Sequence, residues 1–265
     1  MLKRFLNLAA LALVITALNS CVQDQVTIND SLSADVLQKI TNLGFSADGA
    51  FAYEDGVIVE GDIFLTKEDL ARGTMDLANS LLIADEEQYH TTNLVTGTPR
   101  TIVVSTSGNN ITAALSTAIN DAINRYNAEN LSLTFVRGGS SGGGNINIRV
   151  VNTGQYIASA GFPSGGNPYH EIKYAKTYNN YSNGFMTTVL AHEMGHCIGF
   201  RHTDYMNRSY SCGTGGNEGS SGVGAIHIPG TPTGPDAASW MLACLSATTN
   251  RPFNANDKIA LAYLY

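Results

Sequence analysis

The sequence predicts an α+β protein, and three observations lead there. The runs "RTIVVST", "LSLTFVR" and "NINIRVV" are rich in β-branched residues and read as strands. "NNITAALSTAINDAINRYNAEN" places Ile111, Ala114, Leu115, Ala118, Ile119, Ala122 and Ile123 on one face of an amphipathic helix. Residues 192–202, "HEMGHCIGFRH", carry two histidines one helical turn apart and a third beyond a glycine.

A chain of 265 residues is long enough to bury a real core in one or two domains. With 43% hydrophobic and only 14% charged residues it is globular rather than disordered, and its 27 glycines point to a loop-rich fold. The net charge of −7 argues against a nucleic-acid binder, which would usually show a basic face.

The N-terminus reads "MLKRFLNLAALALVITALNSC". Lys3 and Arg4 precede an apolar run from Phe5 to Leu18, of signal-peptide length and too short to span a membrane comfortably. Small Ser20 before Cys21 resembles a bacterial lipobox. Residues 1–20 are therefore expected to be a lipoprotein signal peptide, with Cys21 the lipidated N-terminus. The chain is expected to be exported and anchored to a bacterial membrane or cell surface, or otherwise secreted. Cys197, Cys212 and Cys244 remain, and in an oxidising compartment one pair should form a disulfide; the sequence does not choose among the three pairings.

Residues 21–33 are polar and read as a tether. In "SADVLQKITNLGF", Val36, Leu37, Ile40 and Leu43 follow helical spacing, and Gly44 stands where the helix should stop. "GVIVEGDIFLT" reads as one strand, and "TKEDLARG" as a helix start with Thr66 as N-cap and Asp69 three residues on. Residues 34–84 thus form a small α/β segment without a catalytic signature, a candidate pro-segment. The domain that follows, residues 85–265, holds the strands and helix above. "GGSSGGGN" lacks the Lys-Ser/Thr ending of a phosphate loop and reads as a flexible strand connection. "HEIKYAKTY" is a further strand, and "NANDKIALAYLY" a closing helix.

On a helix of about 3.6 residues per turn, His192 and His196 share one face and can converge on one zinc ion at roughly 2.0–2.1 Å. Glu193 is one step round, able to lean over a water on that ion without becoming a ligand. His202 would lie about 9 Å further along a continuing helix, out of reach. The chain must turn back, and Gly199 sits where a left-handed residue can end the helix. Three histidine ligands leave a fourth position open, which is the arrangement of a catalytic rather than a structural zinc. The chemistry implied is peptide-bond hydrolysis by a zinc-activated water, with Glu193 as general base. The competing reading is a catalytically silent surface lipoprotein that keeps the fold for binding, and the intact Glu193 weighs against it.

The extended motif from His192 to His202 resembles the signature of the metzincin clan of zinc endopeptidases. Within it, "HEMGHCIGFRHTDY" followed by "IPGTP" is most similar to the bacterial dual-action HEIGH metallopeptidases, with Met194 where that family usually has isoleucine. The resemblance covers roughly residues 85–265 and extends loosely to "VEGDI" and "KEDL". It implies a metzincin-like zincin: a twisted mixed sheet, an active-site helix, a Met-turn and a C-terminal helix. "ASWMLAC" supplies the Met-turn, with Met241 packing under the ligands. The strand near His170–Tyr174 becomes the expected cleft edge for an extended substrate. Ala243 stands where some metzincins carry a zinc-contacting tyrosine, so no fifth ligand is expected there, and Tyr205 and Tyr210 are as well suited to packing.

Asp204 could bond a ligand or anchor the loop; His90, His170 and His227 lack partner spacing; Cys197 faces away from the helix's ligand side. No cysteine-switch sequence is visible in residues 22–84, so inhibition by that segment would need another group such as a carboxylate. One catalytic zinc is the implied cofactor, and calcium is not indicated. The expected partners are a peptide or protein substrate and a membrane through Cys21; the chain is expected to act as a monomer.

Overall fold

A computed structural model describes residues 32–72, 88–220, 222–232 and 234–265. Residues 1–20, expected to be a signal peptide, Cys21 and residues 73–87 lie outside the described residues. No helix among those described is long and apolar enough to cross a membrane.

The N-terminal segment builds α1 (Ala34–Asn42), the strands β1 (Phe51–Tyr53), β2 (Gly56–Val59) and β3 (Ile63–Thr66), and α2 (Lys67–Arg72). The Ser33 hydroxyl caps α1 by accepting from Val36 N, and Gly44 follows its end at φ +85°. Thr66 and Asp69 cap α2 reciprocally: the hydroxyl accepts from Asp69 N at 3.1 Å, and the carboxylate accepts from Thr66 N at 3.0 Å. The single strand expected over 56–66 is instead an antiparallel hairpin, Val59 opposite Ile63. Glu60 at φ +55° and Gly61 at φ +91° make its turn. These elements close over their own small core of Ile40, Leu43, Phe45, Val57, Val59, Ile63, Leu65 and Leu70.

The larger part contains β4 (Tyr89–His90), β5 (Arg100–Gly108), α3 (Ala113–Asn127), β6 (Leu133–Arg137), β7 (Ile146–Val151), β8 (Ala158–Ser159), β9 (Glu171–Ala175), α4 (Asn183–Ile198), α5 (Ser209–Cys212), β10 (Ile226–His227) and α6 (Ala255–Leu264). Five strands form one mixed sheet in the order β6-β5-β7-β9-β8, parallel except for β8. β4 pairs with β10 and bridges Phe200 through His90. The fold is thus α+β with a mixed sheet, as the sequence predicts.

α3 turns Leu115, Ala118, Ile119, Ala122, Ile123 and Tyr126 inward; Ala114, expected on that face, is exposed. The glycine-rich connection is not loose. It lies along β5, with Gly138 N donating to Val104 O and Gly142 N to Thr106 O. A Cβ on Gly144 would stand 2.5 Å from Val103 O, so only glycine allows the chain to cross β5 so closely. β9, expected as the cleft edge, is interior to the sheet, and β8 is the edge. The N-terminal segment lies on that edge: Ala160 N donates to Asp62 O at 3.0 Å and Phe64 N to Ala160 O at 2.7 Å.

α4 is buried from Phe185 to Ile198, which is why its sequence is apolar nearly all round. The Asn254–Asp257 capping box starts α6. Of the three possible disulfides, Cys212–Cys244 forms and Cys197 stays a free, buried thiol.

Candidate metal centre

His192 and His196 project from the last turns of α4, with ring centroids 4.6 Å apart. The helix ends at Gly199, φ +112°, and Phe200 N donates back to Gly195 O at 2.9 Å. That left-handed turn returns the chain, so that the His202 ring lies 4.9 Å from His196 and 5.3 Å from His192. Gly199 thus ends the helix and the chain brings the third ring beside the other two.

Each imidazole is held through Nδ1. His192 bonds Trp240 O at 2.8 Å, His196 bonds Phe200 O at 2.8 Å, and His202 bonds Glu218 Oε1 at 2.9 Å. A ring that donates from Nδ1 to a carbonyl or carboxylate keeps a lone pair on Nε2. The three lone pairs face one another; His196 Nε2 and His202 Nε2 are 3.2 Å apart. Two lone pairs at that distance repel unless a proton, which His202 can carry, or a metal cation lies between them. A tetrahedral ion bound at roughly 2.0–2.1 Å sets its ligand atoms about 3.3–3.4 Å apart. His192 Nε2 is buried without a hydrogen-bond partner, as a ligand atom awaiting a metal would be. The donor set fits a metal ion.

A fourth donor joins the group. Asp62, in the hairpin turn of the N-terminal segment, places Oδ2 3.2 Å from His202 Nε2 and 3.5 Å from His192 Nε2. Asp62 and the three histidines form one four-residue group able to hold a metal. Burial opposes a charge on Asp62, but the histidines, His202 foremost, hold its carboxyl well below the usual range. Burial drives His196 well below the ordinary imidazole value, aided by His192 and His202. His202 goes the other way: burial opposes its charge, but the Glu218 and Asp62 carboxylates raise it well above that value.

Glu193 is 2% exposed, and its Oε2 has no hydrogen-bond partner. It lines a cavity of about 280 Å³ together with His192, Asp62, Val189, Tyr178, Ala243 and Leu245. Burial raises its carboxyl well above the ordinary range, and the Asp62 charge adds to the effect.

Met241 is fully buried beneath the helix. A Cβ on Gly195 would lie 2.6 Å from Met241 Sδ, so Gly195 leaves the room the methionine needs. Met241 O accepts from Thr203 N at 2.9 Å, and its neighbour Trp240 orients His192. Asp204 anchors the loop rather than a ligand: Oδ1 accepts from Ala243 N at 2.9 Å and Oδ2 from the Ser211 hydroxyl at 2.5 Å. Tyr205 packs edge-on against Tyr89, and Tyr210 is exposed; neither lines the Glu193 cavity. His90, His170 and His227 stand outside the four-residue group.

Sequence reasoning missed Asp62 and Glu218. Gly61 inside an apparent strand was the available signal for a turn at Asp62. Glu218 sits in a glycine-rich stretch whose spacing carries no pattern. A second buried carboxylate, Glu60, faces Arg201 Nη2 at 3.4 Å. Burial and the nearby Glu218 charge raise the Glu60 carboxyl well above its ordinary value, against the pull of Arg201.

Comparison with known proteins gives three results. The family described as dual-action HEIGH metallo-peptidase matches residues 57–265. No curated protein matches the chain. Among solved structures, one of myroilysin aligns at 15% identity and TM-score 0.43, covering 66% of this chain and 98% of its own. A second myroilysin structure aligns at 16% identity and TM-score 0.41, covering 65% and 86%.

Proposed function

We propose that this chain, which belongs to the dual-action HEIGH metallo-peptidase family, is an exported zinc endopeptidase of metzincin type, kept latent by its own N-terminal segment. The observation that carries the proposal is the convergence of three imidazole Nε2 atoms and one carboxylate on a single point, with Glu193 beside them.

His192, His196 and His202 would hold the zinc. When bound, the ion supplies Lewis acidity, polarising a carbonyl oxygen and making a water more acidic. Glu193 does the proton work: its carboxylate takes the water's proton and returns it to the leaving amine. Its burial suits that role, because a raised carboxyl pKa lies nearer the operating pH. Trp240 O, Phe200 O and Glu218 fix the tautomer and direction of the three rings.

Asp62 stands where the catalytic water would stand, and residues 62–64 lie along the sheet edge where an extended peptide would add. Residues 34–84 are therefore the pro-segment, with a carboxylate as the inhibitory group. Removing them opens the fourth position and the edge together. Zinc as the metal, export through residues 1–20 and anchoring at Cys21 complete the reading.

The test compares wild type and Glu193→Ala on an unfolded protein substrate with added zinc, each intact and after a cut within residues 73–87. Cut wild type should digest the substrate. The variant should be slower by about 10²–10⁴-fold with its bound zinc nearly unchanged. A cut, zinc-loaded wild type that leaves the substrate whole would turn the reading to a binding protein.

A further inference from the structure

We propose that Arg201 forms a binding site for an acidic side chain of the substrate, at the place Glu60 fills in the intact chain. The proposal rests on the peptidase reading above and names its substrate class.

Three residues of the N-terminal segment reach into the larger part within one short stretch. Asp62 enters the histidine group. Two residues later, the Phe64 ring lies 3.0 Å from Lys173 Nζ. Two residues earlier, Glu60 Oε2 faces Arg201 Nη2 at 3.4 Å, with both side chains fully buried. A peptide that follows the path of residues 60–64 past the metal group would place a side chain where Glu60 lies.

Arg201 is built in place to meet an anion there. Its Nη1 donates to Gly219 O at 3.2 Å and Gly224 O at 3.3 Å, which fixes the guanidinium. Its faces meet the Phe45 ring at 5.0 Å and the Tyr205 ring at 5.6 Å. Its Nε has no hydrogen-bond partner, although the side chain is buried.

Charge balance then selects the ligand. Besides Glu60, the carboxylate near Arg201 is Glu218, at 3.7 Å. Glu218 already accepts from His202 Nδ1 at 2.9 Å and lies 3.7 Å from Arg208 Nε. When residues 32–72 leave, they take Glu60 and Phe45 with them. Two guanidiniums are left to share one carboxylate that is committed to a histidine. A buried guanidinium short of a carboxylate is costly, and the planar fork of arginine suits a carboxylate better than any neutral group. An Asp or Glu side chain puts a carboxyl oxygen back where Glu60 Oε2 faces Arg201 Nη2 at 3.4 Å. The selection is local, since the chain as a whole carries a charge of −7.

The experiment gives the whole chain, cut within residues 73–87 and loaded with zinc, a mixture of peptides from a digested proteome. Asp and Glu should be enriched at one position within three residues of the cleaved bonds. For matched peptides differing only by Glu or Gln at that position, kcat/KM should favour Glu by about tenfold or more, chiefly through KM. Arg201→Lys should shrink that ratio. Cleavage without acidic enrichment, or Glu and Gln peptides cut equally well, would overturn the subsite and leave the peptidase standing. No cleavage at all would overturn the peptidase reading, and the subsite with it. The wild-type peptide pair decides the matter even where Arg201→Lys fails to fold.

Discussion

Asp62 Oδ2 lies 3.2 Å from His202 Nε2, the same distance that separates His202 Nε2 from His196 Nε2. A carboxylate oxygen from the N-terminal segment has the same station relative to His202 as a second imidazole. In the intact chain Asp62→Ala should therefore raise peptidase activity, by about tenfold or more for the loss of a charged contact, while the three histidines keep the zinc. The check is the rate of digestion by uncut wild type and variant at equal zinc content. A variant as silent as wild type would remove Asp62 from any part in latency.

Glu218 shapes the centre without touching its metal position. Its carboxylate holds His202 Nδ1 at 2.9 and 3.1 Å, so Glu218→Gln loses a charged acceptor and loosens the ring's orientation. Metal affinity should fall by about 10–100-fold. Competition with a chelator of known strength measures the change, and an unchanged dissociation constant would contradict the role.

Gly195 is required by what lies under it. In Gly195→Ala the new methyl would stand 2.6 Å from Met241 Sδ and 3.2 Å from Trp240 Nε1. Overpacking of this kind costs about 1–3 kcal/mol. Urea denaturation of the zinc-free protein should show the loss, and a variant as stable as wild type would mean that Met241 has room to move.

Asp257 makes stability depend on pH. Burial raises its carboxyl to about 6, against hydrogen bonds from Asn254 N, Ser239, Trp240 N and Gln88. An acid whose pKa is higher folded than unfolded binds more protons in the folded state between the two values, so its contribution to stability falls as pH rises through that window. From about pH 4 to pH 6 the cost is about 3 kcal/mol. The stability of wild type relative to Asp257→Asn should thus decline over that range and then level off. A flat difference would show that the hydrogen bonds cancel the effect of burial.

The strands, the amphipathic helix α3 and the three histidines were legible because each has a local rule: β-branched runs, a 3.6-residue period, and a glycine that must reverse the chain. Thr66 and Asp69 were legible for the same reason. The hairpin at Glu60–Asp62 was not, because a fully buried hairpin and one long buried strand share an apolar, β-branched composition. Asp62 and Glu218 could not be read from spacing. Asp62 reaches His202 across a sequence separation of 140 residues and Glu218 across 16, and nothing local encodes either approach. The edge strand was misplaced because β8 is only two residues long, whereas β9 has the look of an edge but is flanked by β7 and β8.

That Asp62 belongs to the same chain as the histidines has a kinetic consequence. While the chain is whole, the carboxylate is a tethered ligand, present at an effective concentration of about millimolar however dilute the protein. A cut within residues 73–87 turns it into a separate product that must diffuse away before the centre is free. Activation would then go further towards completion on dilution, because rebinding is second order, and the released fragment would act as a competitive inhibitor in trans.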